Sequence, residues 1–180
     1  MEKQLKKKRV AVMATDGFEQ SEFEKPIKAL KKEGILVDVL SINKGKIKGW
    51  REKKWGEKFN VDATFDKALS TDYDMLVLPG GVLSTDLLRT NESAVKFAAE
   101  FFEQGKPIAA ICHAGSILIE TGFLKGKQMT SYKSIKTDLI NAGVDWKDEA
   151  VVVDNKLITS RSPKDLSVFC KKMIEELLIT

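Results

Sequence analysis

The sequence predicts an α/β protein in which helices cover both faces of a mostly parallel sheet. Short, continuously apolar runs alternate with helical segments, a pattern typical of parallel strands buried on both faces. The length of 180 residues and the hydrophobic share of 43% suit one domain, residues 1–180, with a sizeable core. Ligands of such sheets bind beyond the carboxyl ends of the strands, so the polar residues that follow the strands are candidates for a site.

The first half of the chain is predicted to supply four strands, one of them short, and two helices. Strands are expected at residues 9–14, 35–40 and 73–78. One helix is expected at 21–33, with Gly34 at its end, and another from a cap at Asn91 to Gln104. The stretch 43–56, rich in lysine, glycine and tryptophan, is predicted as a looser region, followed by a short strand at 59–62.

The second half is predicted to begin with a buried strand that ends at Ile111 and a helix that runs from 112 to 121. A further helix is expected at 134–142, and a hairpin at 150–159 that turns at Asp154 and Asn155. The last helix is expected to start at a Ser162 cap with Pro163 at its first position, and it carries an apolar stripe as far as Leu177.

Cys112 is the strongest candidate for a functional residue. It lies between a predicted strand and a predicted helix, and His113, the only histidine of the chain, follows it. A residue in that position lies on a sharp turn, as a nucleophile does in α/β hydrolases, and the helix N-terminus favours a lowered thiol pKa. The sequence therefore predicts a cysteine nucleophile, whereas Cys170 on the last helix is expected to lie in the core.

Composition argues against several classes of protein. No apolar run reaches the roughly 20 residues that span a bilayer, so no membrane partner is expected. Two cysteines are too few for a disulfide scaffold, and with one histidine they leave little for a metal site. The net charge of +4 owes much to the basic residues 1–8, which are expected to be a frayed terminus rather than a nucleic-acid site. From these features we expect the protein to be cytoplasmic.

A series of short segments, in order along the chain, resembles the PfpI family of intracellular cysteine peptidases, glyoxalases and deglycases. This family belongs to the class I glutamine amidotransferase-like superfamily. The resemblance extends from about residue 9 to residue 177. The segments that carry it are residues 16–19, 76–81, 110–113, 124–127 with 130–132, 138–143, 151–154 and 159–166.

The resemblance implies a flavodoxin-like three-layer sandwich with a site built around Cys112. It identifies Glu19 as a buried, protonated acid beside the thiolate, and it assigns an oxyanion hole to the N–H groups of Gly81, after Gly80, and of His113. It further implies a homodimer or higher oligomer that needs no cofactor, in which Asp86 of a neighbouring subunit orients His113.

The sequence departs from the family's pattern at two places. Ala114 and Gly115 stand where the family usually has Gly-Pro, and Trp55 replaces a histidine of the loop region. Apart from the resemblance, helical periodicity does not choose among Glu19, Glu22 and Glu24 as the acid.

Two functions are compatible with this site. The first is a cysteine-dependent hydrolase or lyase, related to stress, that acts on peptides or on reactive carbonyls such as methylglyoxal and glycated groups. The alternative is a redox-sensing stress protein or chaperone whose Cys112 is oxidised, with little turnover. In the first case His113 serves as a general acid or base.

Overall fold

The computed structural model describes residues 8–179, which form eleven strands and six α-helices. The strands are β1 (Arg9–Met13), β2 (Leu36–Ser41), β3 (Gly45–Arg51), β4 (Lys54–Val61), β5 (Ala63–Thr64), β6 (Met75–Leu78), β7 (Ile108–Ile111), β8 (Gln128–Met129), β9 (Asp145–Trp146), β10 (Val151–Asp154) and β11 (Leu157–Ser160). The helices are α1 (Gln20–Lys32), α2 (Val82–Arg89), α3 (Glu92–Glu103), α4 (Gly115–Ile119), α5 (Lys136–Asn141) and α6 (Leu166–Leu178).

The central sheet has seven strands in the order β10–β11–β7–β6–β1–β2–β5. Every neighbouring pair is parallel except β10 and β11, which form the predicted hairpin. The chain runs outward from β1 in one direction to β2 and then in the other direction to β6, β7 and β11. This reversal of strand order places a crevice at the carboxyl ends of β1 and β6, beside the end of β7.

Helices cover both faces of the sheet, and each face has its own apolar core. On one face α1 and α6 pack over the sheet, and the α6 stripe buries Leu166, Phe169, Met173 and Leu177. On the other face lie α2, α3, α4 and α5, with Phe97 and Phe101 of α3 fully or almost fully buried. The expected three-layer α/β sandwich with a flavodoxin-like arrangement is therefore confirmed.

The segment predicted as loose is in fact an antiparallel hairpin of β3 and β4, and the prediction was wrong there. Residues 45–51 pair with 54–61, and Trp50 lies opposite Trp55 with ring centroids 5.5 Å apart. The turn consists of Glu52 and Lys53, both with positive φ (48° and 67°). These residues lack the Asn-Gly signal of such turns, which is why the sequence does not reveal the hairpin.

Three smaller expectations also needed correction. Ser162 forms no side-chain cap, and Pro163–Asp165 is a 3₁₀ turn before α6. The segment after β7 is a 3₁₀ turn, Cys112–Ala114, followed by the short α4, and a 3₁₀ turn, Lys133–Ile135, likewise precedes α5. The sequence analysis missed α2, which follows Gly80 and Gly81 directly.

The frayed terminus expected at residues 1–8 lies outside the described residues, except for Lys8. The ammonium group of Lys8 lies 3.1 Å from a carboxylate oxygen of Asp74, so this residue is paired rather than frayed.

None of the helices within residues 8–179 is both long and apolar enough to cross a membrane. In the same range, no three histidine, cysteine or acidic side chains lie close enough together to hold a metal ion.

Candidate active site

Cys112 lies on a strained turn directly after β7. Its φ is +64°, a value that residues with a side chain seldom adopt and that is concentrated at functional sites. The turn continues into the 3₁₀ segment and then α4, as predicted for a strand-to-helix elbow. The side chain is 8% exposed, so the sulfur lies just beneath the surface at the carboxyl edge of the sheet.

The acid beside Cys112 is Glu22, not Glu19, which corrects the expectation from the sequence. The side chain of Glu22 is fully buried and interacts with the thiol of Cys112. Its Oε2 accepts a hydrogen bond from the backbone N–H of Gly80 at 3.0 Å. Its Oε1 is buried, and within residues 8–179 it has no nitrogen or oxygen partner.

Glu19 has a different position because it caps helix α1. Its Oε1 accepts hydrogen bonds from the Oγ of Ser21 at 2.9 Å and from the Ser21 N–H at 3.4 Å. A side chain that caps a helix turns back toward the first turn, and this contact with Ser21 occupies the carboxylate of Glu19. Glu22 lies one turn further on, in line with the buried Pro26 and Leu30 at intervals of four residues. That spacing places Glu22 on the buried face of α1, which the helical periodicity of the sequence alone did not distinguish from Glu19 or Glu24.

Burial gives Glu22 an unusual pKa. Desolvation is the largest cause, followed by the nearby charge of Glu19, and together they raise the pKa of Glu22 from 4.5 to about 8. The hydrogen bonds with the Gly80 N–H and with Cys112 act in the opposite direction but are weaker. At neutral pH the carboxyl group therefore keeps its proton and is able to donate it toward the sulfur.

The same burial opposes the lowered thiol pKa that the sequence suggested. Desolvation is the largest cause that raises the pKa of the Cys112 thiol above its ordinary value, and the charge of Glu22 raises it further at a pH where that carboxyl group is ionised. The backbone N–H groups of His113 and Gly81 lower it, because they donate to the sulfur, but burial prevails. A thiol in this environment needs a base to remove its proton before it attacks a substrate.

His113 is placed to act as that base. Its Nδ1 lies 3.1 Å from the sulfur of Cys112, although neighbouring residues in sequence need not face each other. Its Nε2 lies 2.9 Å from the Oγ of Ser134, and the ring stacks on Tyr132 with centroids 4.8 Å apart. Burial lowers the pKa of His113, so the imidazole is neutral and able to accept a proton near pH 7.

Gly80 and Gly81 allow the backbone to approach the thiol and the acid closely. A Cβ on Gly80 would lie 2.5 Å from Glu22 Oε2 and 2.6 Å from the Cβ of Cys112. Gly81 has a φ of +101°, and a Cβ there would lie 2.5 Å from the carbonyl oxygen of Gly17. Glycine is therefore required at both positions, and the Gly81 N–H faces the sulfur.

Asp86 does not meet His113 within the chain. It is exposed on α2 and lines a shallow apolar cavity of about 420 Å³ with Gly17, Trp50, Val82 and Leu83. Among the described residues, no hydrogen bond or ion pair joins Asp86 to His113, and the neighbouring Arg89 pairs with Glu120. Its expected role across a subunit boundary stays a prediction.

Cys170 lies away from the site, on α6, where it packs against the core as expected. Sequence reasoning also missed Ser134. It lies 21 positions after His113 on a different segment, and no local pattern joins the two.

The site as a whole combines a nucleophilic sulfur, a neutral imidazole, a protonated carboxyl group and two backbone N–H donors. Such a set suits attack on a carbonyl carbon, with the N–H groups receiving the oxygen.

Comparison with known proteins agrees with this arrangement. The model of the DJ-1/PfpI family matches residues 8–176. A deglycase of Pyrococcus abyssi is 44% identical over 167 residues, which cover 93% of this chain and 98% of that protein. A Bacillus subtilis protein named "Putative cysteine protease YraA" is 42% identical over 168 residues, which cover 93% of this chain and 96% of the relative.

A solved structure from Anabaena variabilis superposes with a TM-score of 0.90 at 41% identity. The match covers 95% of this chain and 48% of that protein, which has a DJ-1/ThiJ/PfpI-like and a ferritin-like domain. The family match extends over nearly all described residues, and two relatives exceed 40% identity over almost their whole length. The chain therefore belongs to the DJ-1/PfpI family.

Proposed function

We propose that this protein is a cysteine-dependent deglycase or hydrolase that attacks reactive carbonyl groups, including those of glycated groups and of small dicarbonyls such as methylglyoxal. The observation that carries the proposal is the 3.1 Å approach of His113 Nδ1 to the Cys112 sulfur on a strained elbow. The family membership and the name of the Pyrococcus abyssi relative support the same chemistry.

The mechanism begins with transfer of the thiol proton of Cys112 to Nδ1 of His113. The sulfur then forms a bond to the carbonyl carbon, and the C=O electron pair moves to the oxygen, which the N–H groups of Gly81 and His113 receive. With methylglyoxal a proton returns to the oxygen to give a hemithioacetal, and transfer of a proton from the thiol-bound carbon to the neighbouring carbonyl carbon converts this adduct into a lactoyl thioester. Water then hydrolyses the thioester, so lactate is released and the thiol is restored. Glu22 keeps its proton and donates toward the sulfur when the sulfur leaves as an anion.

Peptide hydrolysis is the second candidate, because one relative is named as a cysteine protease. Attack on an amide gives a tetrahedral adduct that expels the amine, protonated by His113, and leaves an acyl-enzyme. Water then hydrolyses the thioester and restores the thiol. The redox-sensor alternative is not favoured, since both of these relatives are named for enzymatic activities.

We also propose that the chain works as one domain in the cytoplasm and associates with copies of itself. The family match over residues 8–176 supports one domain, and the two free thiols suit a reducing compartment. An apolar surface beside the site supports association. This surface consists of Trp50, Val82, Leu83 and Leu87, which are 39%, 63%, 46% and 42% exposed.

A substrate panel on matched variants tests the proposed activity. Wild-type protein, Cys112→Ala and Cys170→Ala are assayed with methylglyoxal, glyoxal, a glycated amino acid and a fluorogenic peptide. Cys112→Ala is expected to lose turnover by a factor of at least about 10³, because no other described nucleophile contacts His113 Nδ1. Cys170→Ala keeps wild-type turnover, since its thiol packs against the core away from the site.

The panel also separates the two candidate activities, because turnover of the peptide alone would assign hydrolysis. Equal turnover by Cys112→Ala and wild type would refute a role for this thiol in catalysis.

A further inference from the structure

Gln20, the first residue of α1, is a buried polar residue that the proposed mechanism does not use. Its side chain is fully buried, and both ends of its amide are hydrogen-bonded. Its Oε1 accepts a hydrogen bond from the backbone N–H of Glu57 at 2.9 Å, and its Nε2 donates to a carboxylate oxygen of Glu24 at 3.2 Å. A buried amide with both ends satisfied holds the segments that it joins in one relative position. Gln20 therefore fixes the β3–β4 hairpin to the start of α1.

The hairpin contains a socket for this side chain. The register of its strands shifts at Gly49, which stands opposite both Gly56 and Glu57. Such a bulge leaves one residue without a partner in the ladder, and Gln20 supplies the acceptor for its N–H. A Cβ on Gly56 would overlap with the Gln20 Oε1, and a Cβ on Gly49 would lie 3.1 Å from the Gln20 Cβ. The two glycines therefore leave room for the amide of Gln20.

The loop 16–19 lies between the hairpin and the Gly80–Gly81 turn and is in backbone contact with both. On the hairpin side, Asp16 Oδ1 accepts from the Lys48 N–H at 2.6 Å, and the Gly17 N–H donates to the Lys48 carbonyl at 2.8 Å. On the other side, a Cβ on Gly81 would lie only 2.5 to 2.7 Å from backbone atoms of the loop. Because close-packed segments transmit a displacement, a shift of the hairpin reaches Gly81, whose N–H faces the sulfur.

We propose that Gln20 is a positioning residue that acts on the Gly81 N–H through the hairpin and the loop 16–19. It keeps that N–H directed at the oxygen that forms when Cys112 attacks a carbonyl carbon. The inference rests on the proposed role of the Gly81 N–H as a donor to this oxygen, and it assigns a task to a side chain that does not touch the substrate.

Other contacts keep the hairpin folded when the amide of Gln20 is lost. Phe59 of β4 packs against Phe18 and Phe23, with ring centroids 5.7 Å and 4.9 Å away. This cluster supplies apolar burial between the hairpin and α1, whereas Gln20 supplies hydrogen bonds. Substitution of Gln20 is therefore expected to displace the hairpin slightly without unfolding the protein.

Nuclear magnetic resonance on protein labelled with ¹⁵N-glycine tests the proposal without any assay of activity. Among the 12 glycines, Gly49 and Gly56 report on the socket, Gly81 on the site and Gly105 on the amino edge of the sheet. In Gln20→Met, which fills the socket but lacks an acceptor, we expect the amide signals of the first three to shift. The signal of Gly105 should stay at its wild-type position.

An exchange of two side chains tests whether the hydrogen bonds are the cause. The double variant Gln20→Glu with Glu24→Gln keeps the net charge, an acceptor for the Glu57 N–H and a bond between positions 20 and 24. It should return the Gly81 signal toward its wild-type position.

Kinetics give a second, independent readout. Gln20→Met should lower kcat about threefold to tenfold with KM nearly unchanged, a smaller loss than removal of a whole oxyanion donor causes. Gln104→Met is the matched control, because it removes a buried-end glutamine bond, to the Ser70 Oγ at 2.7 Å, at the amino edge of the sheet. It should leave both kinetic constants and the Gly81 signal unchanged.

The proposal is overturned if the signals of Gly49 and Gly56 shift in Gln20→Met while that of Gly81 does not, since Gln20 would then act on the hairpin alone. It is also overturned if Gln20→Met and Gln104→Met lower kcat alike, because the loss would then reflect general stability. The Gly81 signal is measured without substrate, so its result is distinct from a failure of Cys112→Ala to lose activity.

Discussion

A buried acid that keeps its proton is the most consequential residue of the site. Glu22 holds a hydrogen bond from Gly80 and interacts with Cys112, and burial raises its pKa to about 8. A carboxyl group in that state stabilises a nearby anion by donating a hydrogen bond, whereas an ionised one would repel it. The residue therefore links the pH of the solution to the state of the sulfur.

The same residue makes stability depend on pH. Folded protein keeps the Glu22 proton up to about pH 8, while the unfolded chain releases it at the ordinary pKa of 4.5. Between these values unfolding releases a proton, so the free energy of unfolding falls by about 1.4 kcal/mol per pH unit. Glu22→Gln should lack this slope, and it should gain stability relative to the wild type as the pH rises from 5 to 8.

Urea unfolding at several pH values measures this difference. Glu24→Gln is the matched control, because its carboxylate lies on the same helix, accepts a hydrogen bond from Gln20 and is not among the groups that shift the pKa of Glu22. Parallel stability curves for Glu22→Gln and the wild type would contradict the buried, protonated state.

At the residue scale, the sequence predicted the nucleophile and its neighbour but not their partners. Cys112 and His113 are adjacent, and the strand-to-helix change around them is visible in the local pattern. The acid depended on which face of α1 packs on the sheet, because Glu19 is the cap of this helix whereas Glu22 lies on its buried face with Pro26 and Leu30. The position of Ser134 beside His113 depends on tertiary packing, which no local sequence pattern predicts.

Among the elements, the β3–β4 hairpin has the most strained turn. Glu52 and Lys53 both adopt the left-handed region, where a side chain costs roughly 1–2 kcal/mol per residue. Replacing the pair by Asn-Gly should raise the free energy of unfolding by about 1–2 kcal/mol, because Asn-Gly favours this two-residue turn. The midpoint of urea unfolding measures the gain.

The turn between β10 and β11 supplies the control for that experiment. Asn155 also has a positive φ, of 54°, but asparagine tolerates it, so Asn155→Gly should add only a few tenths of a kcal/mol. Equal gains at both turns would show that the strain at Glu52 and Lys53 is not released by the substitution.

Element prediction succeeded where burial on both faces leaves a clear pattern. Strands β1, β6 and β7 are continuous apolar runs between turn residues, and α3 has a cap at Asn91 whose Oδ1 accepts from the Ala94 N–H at 3.0 Å. Strands β3 and β4 are half exposed and rich in lysine, so their alternation is hidden. Helix α2 is only eight residues long and follows two glycines, which suggested a turn.

At the scale of the whole molecule, the reversal of strand order at β1 gathers the site from distant parts of the chain. Loop 14–19, Gly80, Gly81 and Cys112 all follow neighbouring strands of the sheet. No local segment of the sequence predicts the order of the strands, because that order depends on how the crossover connections pack against the sheet. The α/β pattern predicts only that such an edge exists.

The prediction for the whole molecule concerns self-association through the apolar surface of Trp50, Val82, Leu83 and Leu87. Leu83→Glu should weaken self-association roughly tenfold or more, because it places a charge where an apolar side chain would be buried. Sedimentation velocity over a concentration series measures the effect. Leu36→Glu, an exposed leucine at the amino end of β2, is the control, and dissociation by both variants alike would exclude a specific role for this surface.

Backbone hydrogen bonds connect the β3–β4 hairpin to the donor that faces the sulfur. The Trp50 N–H donates to the Phe18 carbonyl at 2.7 Å, the Gly17 N–H donates to the Lys48 carbonyl at 2.8 Å, and the Glu19 N–H donates to the Gly80 carbonyl at 3.0 Å. Gly81 packs against that same loop too tightly for a methyl group to fit. A ligand that binds the β3–β4 hairpin and changes its position would therefore move the Gly81 N–H, which is the proposed donor to the oxygen of the adduct. The rate of reaction at the Cys112 thiol would then respond to binding at a distant part of the surface.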